Sequence, residues 1–257
     1  MTRIFKEILG PAAEFVRNFG AMSLFFAQLL RHSPWTLVRR FSLVVGQVYN
    51  TGAMSIVIIS VCGLFIGGVL GLLTFHNLER FNAEEATGVL VAFAMVKEIG
   101  PVITALLFAG RAGTSLASEI GLMKATDQLS AMEMMAVNPM HRVLVPRFLG
   151  GVISMPLLTA VFTMIALFGA HVVVVEQYGV DVGTYWQQVQ QTMGSEDVNE
   201  GIFKSVVYGF VASLFAVWEG YSAEPTAEGV GRATTRTVVA TAIAVLILNF
   251  MITASFI

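Results

Sequence analysis

The feature that most constrains this chain is a run of 38 residues, between Arg40 and Glu79, without one Asp, Glu, Lys or Arg. Such a run cannot be spread over a surface that faces water. About 20 apolar residues cross the hydrocarbon core of a bilayer as a helix, and residues 53–75 within the run have that length. The run therefore predicts a membrane-spanning helix in an integral membrane protein.

The rest of the composition predicts several spans. Hydrophobic residues make up 56% of the chain and charged residues 12%, which is about half the charged fraction of soluble domains. A chain of 257 residues has room for five or six spanning helices, so we expect one membrane domain. The predicted spans are residues 53–75, 86–109, 148–175, 201–221 and 237–257.

Residues 1–40 predict an amphipathic helix, which makes the expected fold all-α, with this helix followed by five transmembrane helices. Apolar side chains recur at steps of three, four or seven, with polar ones between them. They are Ile4, Ile8, Phe15, Phe19, Met22, Phe26 and Leu29. We expect the helix to lie along the membrane interface, or alternatively to pack against the bundle. Ser33, Pro34 and Trp35 predict a turn with an interfacial aromatic ring.

The distribution of Lys and Arg predicts the orientation. Twelve of the 15 lie in residues 1–40, in residues 110–147 or between the fourth and fifth spans. Residues 176–200, between the third and fourth spans, contain five acidic residues and no Lys or Arg. Because cytoplasmic segments are enriched in basic residues, we expect a cytoplasmic N-terminus and a C-terminus on the opposite side.

Glycines recur in the first span with a spacing that allows close helix packing. The pairs Gly63/Gly67 and Gly67/Gly71 are separated by four residues, which lets helix backbones approach each other. The pattern is compatible with self-association through this span and equally with packing inside the bundle.

Two charged residues interrupt the second span. Lys97 and Glu98 lie near its middle and are followed by Gly100 and Pro101, which favour a kink. Adjacent side chains on a helix point about 100° apart, so they cannot pair well with each other. Lys204 in the fourth span is a candidate partner. Charges at this depth normally face a cavity or a partner, so the choice is between a headgroup site and a structural ion pair.

Residues 110–147 are too long for a turn between two spans. Residues 127–137 are rich in helix formers and end at Asn138 and Pro139, which stop a helix. The apolar face would carry Leu129, Met132, Met135 and Ala136, with Met123 and Met134 nearby. A methionine-rich face suits docking into the groove of a soluble partner; the alternative is that the helix lies flat on its own bundle.

The sequence of residues 110–139 contains the pattern G-R-x-G-x-x-x-A-x-E-I-G-x-M-x-x-T-x-Q-x-x-A-M-x-x-M-x-V-x-P. This pattern resembles the signature of the MlaE-type permeases, also described as the YrbE or toluene-tolerance family. These are the membrane subunits of ABC lipid transporters that work with MCE proteins. The preceding KEIGPVITALLFAGR and the later WEGY and GVGRATTR are similar to further family features, so the resemblance covers essentially the whole chain.

The resemblance implies a set of partners. A second copy of the chain would complete the transmembrane core, with cytoplasmic ABC ATPase subunits and a STAS-domain subunit beneath it. A hexameric MCE-domain ring would lie on the periplasmic side of the inner membrane of a double-membraned bacterium. The cargo would be phospholipid, and the role would be to maintain the lipid asymmetry of the outer membrane.

It also implies roles for two groups of residues. The cytoplasmic segment would contain the coupling helix that rests on the ATPase. The residues expected at this contact are Glu119, Gly121, Met123, Lys124, Asp127, Leu129, Met132, Met135 and Ala136. We expect Lys97, Glu98 and Lys204 to line or border the lipid cavity. Its apolar wall would be formed by Leu70, Leu78 and Phe81.

No pattern in the sequence predicts catalysis. The chain has no G-x-x-x-x-G-K-[ST] loop, so ATP would be bound by a partner subunit, and no cofactor, metal site or nucleic-acid partner is expected. The competing interpretations are an ion-coupled secondary transporter in which Glu98 titrates, and a scaffold that anchors cytoplasmic subunits. Against the first stands the lack of detectable inverted repeats, which many such carriers have.

Overall fold

The computed structural model describes the backbone of residues 2–256 and the side chains of residues 20–37 and 39–256. Every regular element in this part is helical. Five helical stretches are long and apolar enough to cross a membrane, which confirms the all-α class and the number of spans. They are Phe41–Glu79, Glu84–Ala125, Met140–Gln177, Ser195–Ser222 and Ala227–Phe256. Each extends beyond the stretch predicted for it, apart from Ile257, which lies outside the described residues.

The first three spans combine α-helices with turns of 3₁₀- or π-helix, whereas the fourth and fifth spans are single helices. The helices are α1 (Thr2–Arg39), α2 (Phe41–Thr51), α3 (Ile56–Glu79), α4 (Thr87–Phe93), α5 (Gly100–Phe108), α6 (Thr114–Ala125), α7 (Gln128–Met134), α8 (Val145–His171), α9 (Val182–Thr192), α10 (Ser195–Ser222) and α11 (Ala227–Phe256). The 3₁₀ turns are Ala53–Ser55 and Glu84–Ala86. Turns of π-helix are Ala94–Ile99, Ala109–Gly113, Met140–Leu144 and Val172–Gln177.

Successive spans run in opposite directions, so the bundle has two distinct ends. We call them the α9 end, which contains the α3–α4 connection and the end of α11, and the α7 end, which contains the α1–α2 break and the α10–α11 connection. Helix α8 packs against α2, α3 and α10, while α10 also packs against α5, α6 and α11. Helices α8 and α10 therefore form the centre of the bundle.

The glycines of the first span pack inside the bundle. Gly63, Gly67 and Gly71 are buried against α8. A Cβ atom added at Gly67 would lie 1.9 Å from the carbonyl oxygen of Ala166, so only glycine permits this approach. Of the two interpretations of the glycine spacing, the structure confirms packing within the chain.

Helix α1 continues through the turn predicted at Ser33, Pro34 and Trp35, and that prediction is wrong. The Ser33 hydroxyl donates a hydrogen bond to Leu29 O at 2.8 Å, and the Thr36 hydroxyl donates to His32 O at 3.0 Å. The two hydroxyls lie on either side of the proline, and both bind carbonyls of the helical turn before it. The helix ends instead at Arg39, and the break lies at Arg40, where φ is −133° and ψ is 38°.

The described side chains of α1 contact the rest of the bundle. Phe25 and Leu29 are buried in a cluster with Leu214 and Val217 of α10. Ile4, Ile8, Phe15 and Phe19, on which the amphipathic pattern began, lie outside the described side chains. For residues 25–29 the structure thus favours packing against the bundle, the second of the two interpretations.

Helix α9 forms part of what the sequence predicts as a loop. Asp181 caps it by accepting a hydrogen bond from the Thr184 N–H at 2.8 Å, and this bond holds the pKa of Asp181 below its usual value. Tyr185 packs against α4 at Gly88, and burial raises its pKa to about 12. The helix therefore covers the start of the second span.

Candidate functional site

Helix α10 crosses the second span at an unusually short distance. A Cβ atom added at Gly201 would lie 2.3 Å from the carbonyl oxygen of Val96, so a glycine is required there. Val96 belongs to the π-helical turn Ala94–Ile99. The crossing therefore places the first turns of α10 directly beside the two charged residues of the second span.

Five charged side chains form a continuous network at this crossing. The ammonium group of Lys204 lies 2.6 Å from Glu98 Oε1 and 2.9 Å from Glu200 Oε1. The ammonium group of Lys97 lies 2.9 Å from Glu200 Oε2 and 3.1 Å from Asp197 Oδ1. Glu200 thus bridges the two lysines. Three carboxylates and two ammonium groups leave the network with one net negative charge when all are ionised.

Lys204 also binds the backbone of the second span, close to Pro101. The Lys204 ammonium donates to the carbonyl of Lys97 at 3.0 Å. Because Pro101 has no N–H, the side chain from α10 adds a donor in a turn that has lost one.

Helix α11 closes the other side of Glu98. The Thr253 hydroxyl donates to Glu98 Oε1 at 2.9 Å, and the Asn249 amide donates to Glu98 Oε2 at 3.0 Å. The Tyr208 hydroxyl of α10 donates to Asn249 Oδ1 at 2.7 Å. Asn249 thus links three helices by hydrogen bonds to Glu98 and Tyr208.

The network is buried at one end and open at the other. The Lys204 side chain is fully buried, whereas that of Lys97 is 31% exposed. The open end borders a cavity of about 480 Å³. The cavity is lined by Lys97, Glu196, Asp197, Asn199, Glu200, Phe203 and Phe256. Because charged groups in a bilayer are costly unless paired or facing a cavity, this arrangement meets both conditions.

The structure brings together only half of the residues predicted for the lipid cavity. Lys97, Glu98 and Lys204 meet in the network. Leu70 lies on α3 among partly buried residues of the core, and Leu78 lies in the last turn of that helix. Phe81 follows α3 and is 80% exposed. None of these three apolar residues is among the residues that line the cavity beside the network.

Sequence reasoning missed Asp197 and Glu200, because it assigned the acidic residues up to Glu200 to a solvated loop. In the structure α10 begins at Ser195, with Asp197 Oδ2 accepting a hydrogen bond from the Gly194 N–H at 2.9 Å. The available signal was the spacing. Asp197, Glu200 and Lys204 are separated by three and four residues, which places all three on one helix face.

Three of the residues predicted for ATPase coupling make contacts inside the chain. Glu119 lies 3.3 Å from Arg147 in an ion pair, and Lys124 donates to the Tyr221 carbonyl at 2.8 Å. Gly121 is buried, and a Cβ atom there would lie 3.1 Å from Val230. Helix α6, which carries them, continues the second span where the sequence predicts the start of a cytoplasmic loop.

The predicted docking helix is shorter than expected, and its apolar residues divide into two groups. Helix α7 ends at Met134, because Ala136 has a left-handed backbone with φ of 56°. Leu129 is buried, and Met123 and Met132 pack against the same cluster. Asp127, before the helix, also has a positive φ, of 54°.

The exposed apolar surface at this end differs from the predicted face. Met134 is 83% exposed, Met135 68% and Leu122 58%. These three side chains, with the exposed Ala136, are the part of the segment that is available to a partner.

Comparison with known proteins places this geometry in a family. The profile described as Permease MlaE matches residues 44–255. The chain belongs to the MlaE permease family. It is 46% identical to the intermembrane phospholipid transport system permease protein MlaE of Haemophilus influenzae, over 94% of this chain and 92% of that protein. The resemblance seen in residues 110–139 is thereby confirmed.

Other relatives carry the name of the transporter class. The chain is 34% identical to a probable ABC transporter permease protein of Rickettsia bellii, over 84% of this chain and 83% of that protein. It is 33% identical to a similarly named protein of Rickettsia conorii, over 95% and 93%. The chain is therefore a homologue of ABC permeases, one of which is named for phospholipid transport.

Proposed function

We propose that this chain is the membrane subunit of an ABC transporter that moves phospholipid between the inner membrane and periplasmic carrier proteins. The observation that carries the proposal is the polar network within a bundle of five apolar helices, in a member of the MlaE permease family. A buried charge cluster that opens into a cavity suits a cargo with a charged headgroup and apolar tails.

In this proposal the headgroup binds at the open end of the network. Lys97 is the ammonium group that reaches the cavity and would bind the headgroup phosphate, while Glu196, Asp197 and Glu200 in the same lining would face a cationic headgroup amine. Lys204 and Glu98 stay fixed by α11 and by the Lys97 carbonyl. The network would thus hold the cavity open and orient Lys97.

A second copy of the chain would complete the cavity. Leu70, Leu78 and Phe81, the predicted apolar wall, do not line the cavity beside the network within one chain, and a second chain would bring the two surfaces together. Exposed apolar side chains on α11, such as Phe250 at 75% and Ile247 at 55%, lie on the helix that contacts Glu98. They offer a surface for that contact.

The α7 end would face the cytoplasm and a separate ATPase. It carries most of the basic residues, as expected for a cytoplasmic side, and the C-terminus would then be periplasmic. Met134, Met135 and Leu122 are the apolar side chains free to dock on the ATPase. A STAS-domain subunit, a periplasmic MCE ring and a role in outer-membrane lipid asymmetry complete the proposal.

Photocrosslinking tests the placement of the lipid. A photoreactive residue at Leu70, Leu78 or Phe203 should capture phospholipid in the complex after purification in detergent. The matched control is Met164, which is 72% exposed on α8 and should lose its bulk lipid on extraction. In the purified complex, capture at position 164 and at none of the other three positions would contradict the placement. So would capture at none of the four positions, when position 164 does capture lipid in intact membranes.

The competing function is an ion-coupled carrier in which Glu98 titrates. The observation that favours it is the 34% exposure of the Glu98 side chain. Reconstitution with the co-purifying ATPase separates the two. Lipid transfer that stops without ATP and is unaffected by a protonophore supports the ABC permease, and the reverse supports the carrier. A Met135→Asp variant should lower lipid-dependent ATP hydrolysis, with exposed Glu133→Gln as the control.

A further inference from the structure

A cluster of basic and aromatic side chains surrounds the break between α1 and α2, at the α7 end of the bundle. The charge network lies towards the α9 end. We call it the elbow cluster and define it as His32, Trp35, Arg39, Arg40 and His141. The guanidinium carbons of Arg39 and Arg40 lie 5.8 Å and 5.7 Å from the centroid of the Trp35 ring. The His141 ring lies 4.5 Å from Trp35 and 4.3 Å from His32.

The elbow cluster contains no counter-ion of its own. The sequence has no acidic residue between Glu14 and Glu79, and Glu119 of α6 is paired with Arg147. Among the described side chains, neither Arg39 nor Arg40 forms an ion pair. Two guanidinium groups beside one ring repel each other, so an anion bound beside them would stabilise this arrangement.

Two further observations place the anion beside Arg40. Its Nη1 is buried and has no hydrogen-bond partner among the described residues, which is costly for a charged donor. Arg40 is also the residue before α2, whose N-terminus has no side-chain cap and no acidic residue in its first turn. Helix N-termini favour anions, so the residue that carries the unpartnered guanidinium also stands at a helix end that suits an anion.

The surroundings favour an anion that carries an apolar chain. An apolar cavity of about 300 Å³ lies between α2, the start of α3 and α8. Its lining begins at Val45, one helical turn beyond Phe41, and extends to Ile56. The neighbouring side chains of Phe41 and Tyr49 are 58% and 62% exposed. A free phosphate would use the basic end of this site and leave the apolar cleft unused.

We propose that the elbow cluster binds the phosphodiester of an anionic phospholipid, with one acyl chain in the cleft between α2 and α8. Basic pockets between helices on the cytoplasmic side are suited to such headgroups. The site is separate from the proposed transport cavity and does not depend on it. A lipid bound there would fix α1 to the bundle, because the elbow cluster joins residues of α1 to His141. His141 also lies 3.4 Å from the Thr36 hydroxyl of α1.

Native mass spectrometry of the full chain with its co-purifying subunits tests the proposal. The complex is titrated with phosphatidylglycerol and, separately, with phosphatidylcholine of the same chain lengths. Wild type should retain one phosphatidylglycerol per chain, bound at least tenfold more tightly than phosphatidylcholine. The double variant Arg39→Gln with Arg40→Gln should lose about tenfold in this affinity.

The matched control is Arg232→Gln with Arg236→Gln, which removes the same charge from exposed positions at the same end. It should change phosphatidylglycerol binding by less than twofold. Equal losses in both double variants, or equal affinity for the two lipids in wild type, would overturn the proposal. If the elbow double variant fails to fold, the exposed single change Arg39→Gln replaces it and should still weaken binding severalfold.

A cleft-filling variant separates a lipid headgroup from free phosphate. Ala53→Trp adds a large side chain to the lining of the cleft without changing any charge. Loss of phosphatidylglycerol in this variant supports the lipid. Unchanged binding, together with displacement of phosphatidylglycerol by millimolar inorganic phosphate, would show that the elbow holds free phosphate and would overturn the lipid assignment.

Discussion

The charge network and the elbow cluster handle charge in opposite ways. In the network every charged side chain contacts at least one group of opposite sign, and Lys204 is fully buried. In the elbow cluster Arg39 and Arg40 contact one aromatic ring and no described carboxylate. Both lie in a protein that is otherwise depleted in charge.

The two regions differ in the source of their counter-ions. The charges of the network are paired with one another inside the fold, apart from one net negative charge. The network is therefore part of the folded structure. The elbow cluster depends on something outside the chain. Substitutions in the network should therefore change the free energy of unfolding of the purified protein, whereas substitutions in the elbow should change it only when lipid is present.

The largest effect is expected for Lys204→Met. Removing the ammonium leaves Glu98 and Glu200 without their shared cation, and removes the hydrogen bond that Lys204 donates to the Lys97 carbonyl. Breaking a buried ion pair in this way costs about 3–5 kcal/mol, which denaturant-induced unfolding in detergent measures. The control Lys124→Met removes a lysine that donates to one carbonyl at the α7 end. Equal losses in both variants would contradict the distinction.

A smaller loss is expected for Glu200→Gln. The amide keeps the shape and one hydrogen bond, but both lysines lose a carboxylate, so we expect a cost of about 1–3 kcal/mol. Glu196→Gln, at the neighbouring turn and without a partner among the described ion pairs, should cost less than about 0.5 kcal/mol. In a double-mutant cycle with Lys97→Met the two losses should be non-additive; strict additivity would show that the bridge contributes nothing.

The smallest effect is expected for Arg39→Gln in lipid-free detergent. The side chain is exposed and pairs with no described carboxylate, so the free energy of unfolding should change by less than about 0.5 kcal/mol. Adding phosphatidylglycerol should stabilise wild type more than the variant, because a ligand stabilises the state that binds it. A large loss without lipid would show that the elbow is neutralised within the chain after all.

Much of the fold follows from the sequence because a bilayer leaves few choices. A charge-free run of 38 residues has to be helical, since a helix satisfies its own backbone groups in lipid. The pairing of Glu98 with Lys204 was predictable for a related reason: a charge in a span needs a partner, and few were available. The family signature in residues 110–139 then identified the class of protein.

The predictions that failed concern local sequence patterns that are compatible with two different structures. Acidic residues after an apolar span are usually solvated, so Asp197 and Glu200 were assigned to a loop although their spacing fits a helix face. The proline at position 34 usually marks a turn, but neighbouring hydroxyls stabilise the helix around it. The helix that carries the methionine-rich face is shorter than predicted, because Ala136 adopts a left-handed backbone. The periodicity of side chains does not reveal this conformation.

The two π-helical turns of the second span, Ala94–Ile99 and Ala109–Gly113, have a consequence for mutational work. Each wide turn inserts roughly one extra residue into the winding, so the residues beyond it are out of phase with those before it by about 100°. A substitution scan along this span will therefore not show one repeating rhythm of tolerant and intolerant positions. It should fall into three stretches, each with its own phase, and the two jumps should coincide with the wide turns.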